Sequence, residues 1–506
     1  MVSLILFTSS VTALAADGDD PSALLWERLV REQSTAWILG GSDRGDIAMA
    51  AALPGVSFSG EMAPLDAPQQ AERDRLLLEW ASLTPAAWSG RDWYEPSFAI
   101  RGWTRLAEGD ADPVDLLGDT EPGQLSWRAA AELYGRSPWL EIVAQPEVRL
   151  DALGENPFEL DLTATHYWIG IRRGPMRVGF GAEERRLGPG RRGNLILADG
   201  GMTWPAGTVA GEGNIWKLGR FRGEVSAGWL QRERRDVNNP GMLFMDVRWA
   251  PIPQLELGAS RASLFGGEDR PFPSIGQLIL PTDPHIYDDP DKDLPDQDEI
   301  AGLDGRLTIP LDRFGPMRYA EFWIEYGGED IIALRAGPIP YPSLAGVANL
   351  RGAEVAVSQA VFTVEWARMM DDLFRWYVNH RIYHEGMTQS GLSLGHPVGG
   401  DADDWWFGAA WIEHDWGVQG WHERLWRVGV ADVVQDTVVS YVADERRQRY
   451  GARGWYMLPS GGHVGLGGSL ERVTDADFVP GADALEHRVW VEWRTSPFAW
   501  APDIEF

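Results

Sequence analysis

The most basic stretch of the chain is 183–201, EERRLGPGRRGNLILADGG, where Arg185, Arg186, Arg191 and Arg192 flank Gly188-Pro189-Gly190. Guanidinium forks bind carboxylates bidentately. The chemistry on offer is therefore capture of an acidic polymer such as a uronic-acid polysaccharide. The same forks could equally pair with Glu side chains inside the protein. A phosphate loop is not indicated, because the Walker glycines and Lys-Ser/Thr are absent. A second constellation is aromatic: Tyr383, Trp405 and Trp406 lie beside a polar loop carrying His396, Asp401 and Asp403. Sugars stack on such rings. Neighbouring strand residues face opposite sides, so at least one of the two tryptophans is expected to anchor at a lipid interface instead.

Other clusters carry less. His380 and His384, with Glu385 and His396, suggest metal ligation. The segment reads as a strand, however, and residues four apart on a strand are about 13 Å from each other, too far to share an ion. The loop 283–299 holds eight acidic residues but has no Gly turn and contains Pro295, against the calcium-loop pattern. It reads as a solvated loop, with a divalent-ion bridge to anionic glycan as the alternative. There is no G-x-S-x-G and no Ser/His/Asp grouping. No enzyme activity, cofactor or metal is expected.

These residues need elements to hold them. The stretch 375–416 reads as a strand over 376–383, a Gly-rich loop over 385–404, and a second strand from Trp405 to Trp416. Period-two alternation recurs elsewhere. Met245, Val247 and Trp249 alternate with Phe244, Asp246 and Arg248; Phe322, Ile324 and Tyr326 with Glu321, Trp323 and Glu325; Val489, Val491 and Trp493 with Arg488, Trp490 and Glu492. A soluble sandwich and a membrane barrel share this pattern with opposite faces wet. Short connections such as 250–253 and 459–462 alternate with long ones such as 265–300 and 385–404, the asymmetry of an outer-membrane barrel.

The chain has 506 residues, a formal charge of −30 and no cysteine, and its only lysines are Lys217 and Lys292. Disulfides and thiolate metal sites are excluded, and nucleic acid is not an expected partner. The 26 tryptophans and 58 glycines suit aromatic belts and tight turns. Residues 1–15 read as a signal peptide, and no apolar run is long enough for a membrane helix. Helical spacing at 21–33, 69–82 and 124–134 predicts a small, mostly helical periplasmic domain over 16–140. The barrel is expected over 141–506, ending on Phe506.

Four stretches, RRLGPGRRGNLILADGG (185–201), ELGASRASLFGGEDR (256–270), EFWIEYGGED (321–330) and YVNHRIYHEGMTQSGLSLGHPVGGDADDW (377–405), resemble the Wzi family of capsule assembly proteins. With the helical N-terminal region the resemblance spans nearly all of the mature chain. It implies an all-β transmembrane barrel of about 18 antiparallel strands with a small N-terminal α-helical domain. It also implies a monomer in the outer membrane that binds or organises exported capsular or extracellular polysaccharide, lectin-like rather than catalytic, with outer-membrane lipid as its other partner. The alternative is a solute-conducting porin, and a more remote one a barrel hydrolase. The glycan-binding candidates are Arg185, Arg186, Arg191, Arg192, Tyr383, His396, Asp401, Asp403, Trp405 and Trp406. This chain departs from the family in its acidity and scarcity of lysine.

Overall fold

The computed structural model describes residues between 97 and 500. Outside the described set are 1–96, 110–124, 137–139, 152–158, 199–202, 279–296, 333–340, 343–347, 370–376, 378–381, 429–431, 459–462, 495–497 and 501–506, with a few shorter gaps. The signal peptide, the helices expected at 21–33 and 69–82, Phe506 and His380 all fall outside it.

The wall begins with β1 (Ser97–Gly109), β2 (Leu125–Arg136), β3 (Leu140–Asp151), β4 (Glu159–Arg173), β5 (Met176–Ala182) and β6 (Pro205–Ile215). It continues through β7 (Gly219–Trp229), β8 (Gly241–Ile252), β9 (Leu255–Phe265), β10 (Gln297–Pro310), β11 (Met317–Glu329) and β12 (Ala348–Val357). The last strands are β13 (Ala360–Arg368), β14 (Ala402–Ile412), β15 (Trp416–Arg427), β16 (Glu445–Met457), β17 (His463–Thr474) and β18, which runs Ala484–Arg494 and resumes at Phe498–Trp500. The sheet has 19 hydrogen-bonded segments. Both pieces of β18 lie along β1, so the wall is eighteen strands. Each strand pairs antiparallel with its sequence neighbour, and β18 pairs with β1, which closes the ring. Among the described residues, closure leaves the wall itself without an unpaired edge strand, a requirement for any sheet in lipid.

The ends of the ring differ. Connections leaving even-numbered strands are tight, as at 253–254 and 358–359, whereas those leaving odd-numbered strands are long, as at 183–204, 266–296 and 369–401. Long loops mark the extracellular end of such barrels and short turns the periplasmic end.

The faces differ as sharply. Ile169, Val178, Val209, Val247, Leu303, Ile324, Phe407, Val418, Leu466 and Val491 point outward and are exposed. Such side chains form the lipid-facing band of a barrel. The alternate positions point inward and pair. Arg248 Nε lies 3.0 Å from Asp246 Oδ1 and its Nη1 lies 2.6 Å from Asp304 Oδ1. Arg306 Nη2 lies 2.7 Å from Glu256 Oε2, and Arg449 Nη2 lies 2.8 Å from Glu471 Oε2. The alternation expected around 244–249, 321–326 and 488–493 is the one observed.

Two expectations need correction. The helix expected at 124–134 is not formed: residues 125–134 lie in β2, paired along their whole length with β1 and at most positions with β3. Leu, Ala and Glu favour a helix, but pairing on both edges overrides that preference. The wall therefore starts at Ser97 rather than at 141. The strand expected over 376–383 is also absent among the described residues there. Tyr377 is a turn residue with φ 72°, and Ile382 and Tyr383 are loop. The strand before this loop is β13, so the loop spans 369–401.

Candidate functional site

The long loop 183–204, between β5 and β6, carries the arginine cluster into the lumen. Its turn depends on glycine. Gly188 has φ 135°, a conformation L-residues avoid, and a side chain at Gly190 would collide with the carbonyl oxygen of Gly193. The tight turn aims consecutive N–H groups at wall carboxylates. Glu325 accepts from the N–H groups of Gly190 at 3.2 Å and Leu195 at 2.7 Å. Glu365 accepts from those of Arg191 at 2.6 Å and Arg192 at 2.8 Å, and from Trp323 Nε1 at 2.9 Å.

The guanidiniums complete the latch. Arg192 Nη2 donates to Glu423 Oε1 at 2.6 Å. Arg191 donates to Glu321 and lies 3.6 Å from Glu354. Arg185 donates to Thr208 Oγ1 at 3.0 Å and lies 3.5 Å from Glu224, under the ring of Trp204. Arg186 lies outside the described residues. The loop leaves the wall beside β6 and is held on β11, β13 and β15; β15 is half the ring from β6. The loop thus crosses the lumen. Of the two uses open to these arginines, pairing with internal Glu is the one the three described ones show.

Loop 369–401 packs on this bridge. Ala198 N–H donates to Leu394 O at 2.8 Å. Tyr377 Oη donates to Leu195 O and accepts from the His396 N–H at 2.9 Å. Leu187, Leu195, Ile196, Leu197, Met387 and Leu394 bury together against inward side chains such as Phe244, Leu264 and Trp323. The plug therefore has an apolar core of its own beneath the long loops.

A third loop, 230–240, clamps the second. Arg234 forks onto Asp236, Nε to Oδ1 at 2.9 Å and Nη2 to Oδ2 at 3.0 Å. Its guanidinium also donates to Thr388 O at 2.7 Å and Gly386 O at 3.0 Å. Asp236 Oδ2 accepts from the Glu385 N–H at 2.8 Å. Burial alone raises the Asp236 carboxyl. The Arg234 hydrogen bonds and the Glu385 and Val237 N–H groups outweigh it and hold the group below its ordinary range. Tyr383 Oη donates to Gly266 O at 2.9 Å, and Asn238 Nδ2 donates to Glu268 Oε2 at 2.9 Å. Glu268, Asp269, Arg270 and His384 are exposed on the crest so formed.

The aromatic and acidic candidates do not form one site. Tyr383 and His396 are buried in the plug. Asp401 sits at the loop's end with φ 55° and donates its N–H to Met369 O. Asp403 and Trp405 face outward on β14, where Asp403 accepts from Trp366 Nε1 at 3.3 Å and Trp405 is 40% exposed. Trp406 faces the lumen and is buried, its ring lying over Gly408. The split of the pair across the wall follows from strand geometry, as expected. Of the crest residues, Glu268 and Arg270 lie in the 256–270 stretch that carries the family resemblance but were not singled out as site residues, and Asn238 had no signal beyond polarity.

Comparison with known proteins fits this geometry. A model of the capsule assembly protein Wzi family matches residues 134–419, more than half of the chain. This chain belongs to the Wzi capsule assembly family. No curated protein matches it. Among solved structures, it is similar to Wzi of Escherichia coli, an outer-membrane protein involved in group 1 capsule assembly and a carbohydrate-binding β-barrel. Identity there is 16%, the TM-score is 0.65, and 96% of this chain and 98% of that one are covered. OccK5 (OpdH) of Pseudomonas aeruginosa follows at 10% identity and TM-score 0.48, over 80% of this chain and 99% of that one. OprD of the same organism gives 11% and 0.47, over 80% and 95%. Like other members of the Wzi family, the chain is an outer-membrane β-barrel.

Proposed function

We propose that this barrel binds exported polysaccharide at its extracellular crest and holds it at the cell surface without catalysing a reaction. The observation that carries this reading is the bridge of loop 183–204 across the lumen, latched by Glu325, Glu365 and Glu423. A protein built to conduct solutes leaves its lumen open. Here the wall's inward charge is spent on holding a plug, and the plug supports a rigid polar crest. The capsule-assembly family and the carbohydrate-binding Wzi barrel of E. coli support polysaccharide as the ligand.

The crest offers Arg270 for a glycan carboxylate, with Asn238, Glu268 and His384 for hydroxyl groups. It is cross-tied through Asn238 and Glu268 and through the Asp236 clamp, so little ordering entropy is lost on binding. The protein acts as a monomer seated in outer-membrane lipid.

The test is surface glycan retention in a deletion strain complemented with the parent or with Arg270→Ala/His384→Ala. The variant is checked for assembly by heat-modifiable gel mobility. An assembled variant that retains as much glycan as the parent removes the crest assignment. Full retention in the deletion strain itself removes the function.

A further inference from the structure

Exposed arginines are unevenly spread on the outer wall. Every arginine of β5–β11 is buried or half-buried. On β12–β17, Arg351, Arg368, Arg424, Arg446 and Arg472 all face outward and are exposed. The outward positions of β12–β17 hold one carboxylate, Asp403. Among the described residues none of the five arginines has an ion pair. The chain as a whole carries −30, so this cationic sector runs against its overall charge.

Register aligns them. One row across the sheet reads Arg351, Trp366, Trp405, Arg424, Gln448, Arg472. The next row toward the loops reads Arg368, Asp403, Trp426, Arg446. All five lie within about 10 Å of the long-loop ends of their strands at roughly 3.3 Å per residue. The aromatics form a platform: Trp366 stacks on Trp405 at 5.6 Å, and Trp405 on Phe407 at 6.0 Å. Arg351 lies 5.5 Å over Trp366, and Arg446 lies 6.0 Å over Trp426. The guanidinium heads of these two arginines thus lie over indole faces, at the loop end of the strands where lipid headgroups sit.

We propose that this sector is a docking site for a phosphorylated glycolipid of the outer leaflet. The row arginines take the phosphates of its sugar headgroup, and the Trp366–Trp405–Phe407 platform takes the adjoining acyl chains. Arg424 and Arg472, two strands apart, stand about 10 Å from each other at the usual strand spacing, so one headgroup with two phosphates can engage both. Arginine suits this role because its fork binds phosphate bidentately. The inference needs only the outer-membrane orientation and is independent of polysaccharide binding.

The test is native mass spectrometry of the full chain in detergent. The probes are doubly phosphorylated lipid A, its dephosphorylated form, and phosphatidylglycerol. Phosphorylated lipid A should stay bound to the parent. Binding should fall at least about tenfold for dephosphorylated lipid A and for the Arg351→Gln/Arg424→Gln/Arg446→Gln/Arg472→Gln variant, since either change removes one side of the arginine–phosphate pairing. Arg313→Gln, at the opposite end of the barrel, should change nothing. If the fourfold variant does not assemble, Arg424→Gln/Arg472→Gln is read instead, with the two Lys substitutions as a partial rescue. Equal binding of phosphatidylglycerol, equal binding by the variant, or a protein dimer in place of lipid adducts would each overturn the proposal.

Discussion

Arg192 and Glu423 meet at 2.6 Å in the lumen, although one comes from the loop beside β6 and the other from β15, half the ring away. Their side chains are 1% and 3% exposed. Removing one partner of such a buried pair strands the other charge, at a cost of about 3–5 kcal/mol. Arg192→Ala should therefore lower stability by an amount of that order, reduced by Arg449, which lies 3.5 Å from Glu423. Arg192→Ala/Glu423→Gln should recover part of the loss. Denaturant unfolding in bicelles reads both; a double variant no more stable than the single one would contradict the latch.

The clamp between loops 230–240 and 369–401 should respond to acid. The folded-state value of Asp236 lies below its ordinary value near 3.8. Its contribution is thus fully present above that value and is lost as pH falls through the lower, folded value. Limited proteolysis within 382–395 should stay slow at neutral and mildly acidic pH and accelerate only below the ordinary aspartate range. Asp236→Asn should be cleaved faster at neutral pH and show no further acid step. A parent that loosens near pH 6 would point to a histidine instead.

What could be read from the sequence followed locality. Val247 and Asp246, or Ile324 and Glu325, are adjacent residues on opposite faces, so their alternation is visible in a window of six. The turn-and-loop asymmetry is equally local. Residues 125–136 misled because Leu, Ala and Glu carry helical preference while the partners that make them a strand lie on β1 and β3. For Arg191 and Arg192 the sequence left two uses open, and the choice between them was beyond reach for a related reason. Their partners Glu321, Glu365 and Glu423 lie 130 to 231 positions away, and only closure of the ring brings them together. Tyr383 read as a strand-end aromatic for sugar stacking because nothing local says that its segment folds inward.

Trp405 and Trp406 should separate cleanly by lipid accessibility. Trp405 is outward and stacked between Trp366 and Phe407, whereas Trp406 is inward. In vesicles containing brominated lipid, Trp405→Phe should remove a quenchable part of the fluorescence and Trp406→Phe should leave the quenchable part intact. Gly408→Ala adds a side chain where the Trp406 ring lies. It should destabilise the barrel by about 1–3 kcal/mol, the range for overpacking. Quenching lost with Trp406→Phe instead would place the strand in the opposite register.

The plug makes a final prediction that separates a binding barrel from a conducting one. In planar bilayers the parent should show no large, stable channel currents, because loop 183–204 crosses the lumen and packs on loop 369–401. Glu365 is the best place to loosen it, since it accepts two N–H groups of the bridging turn and the Trp323 indole N–H. Glu365→Ala leaves these three donors without their acceptor, at about 1–3 kcal/mol each where they stay buried. Its lowest-cost response is partial withdrawal of the turn, because water then satisfies the freed groups. Glu365→Ala, and more so Glu325→Ala/Glu365→Ala, should show fluctuating currents that the parent lacks, with heat-modifiable mobility unchanged. Large steady currents from the parent would mean that ions bypass the bridge, and the solute-conducting reading would then replace the binding one.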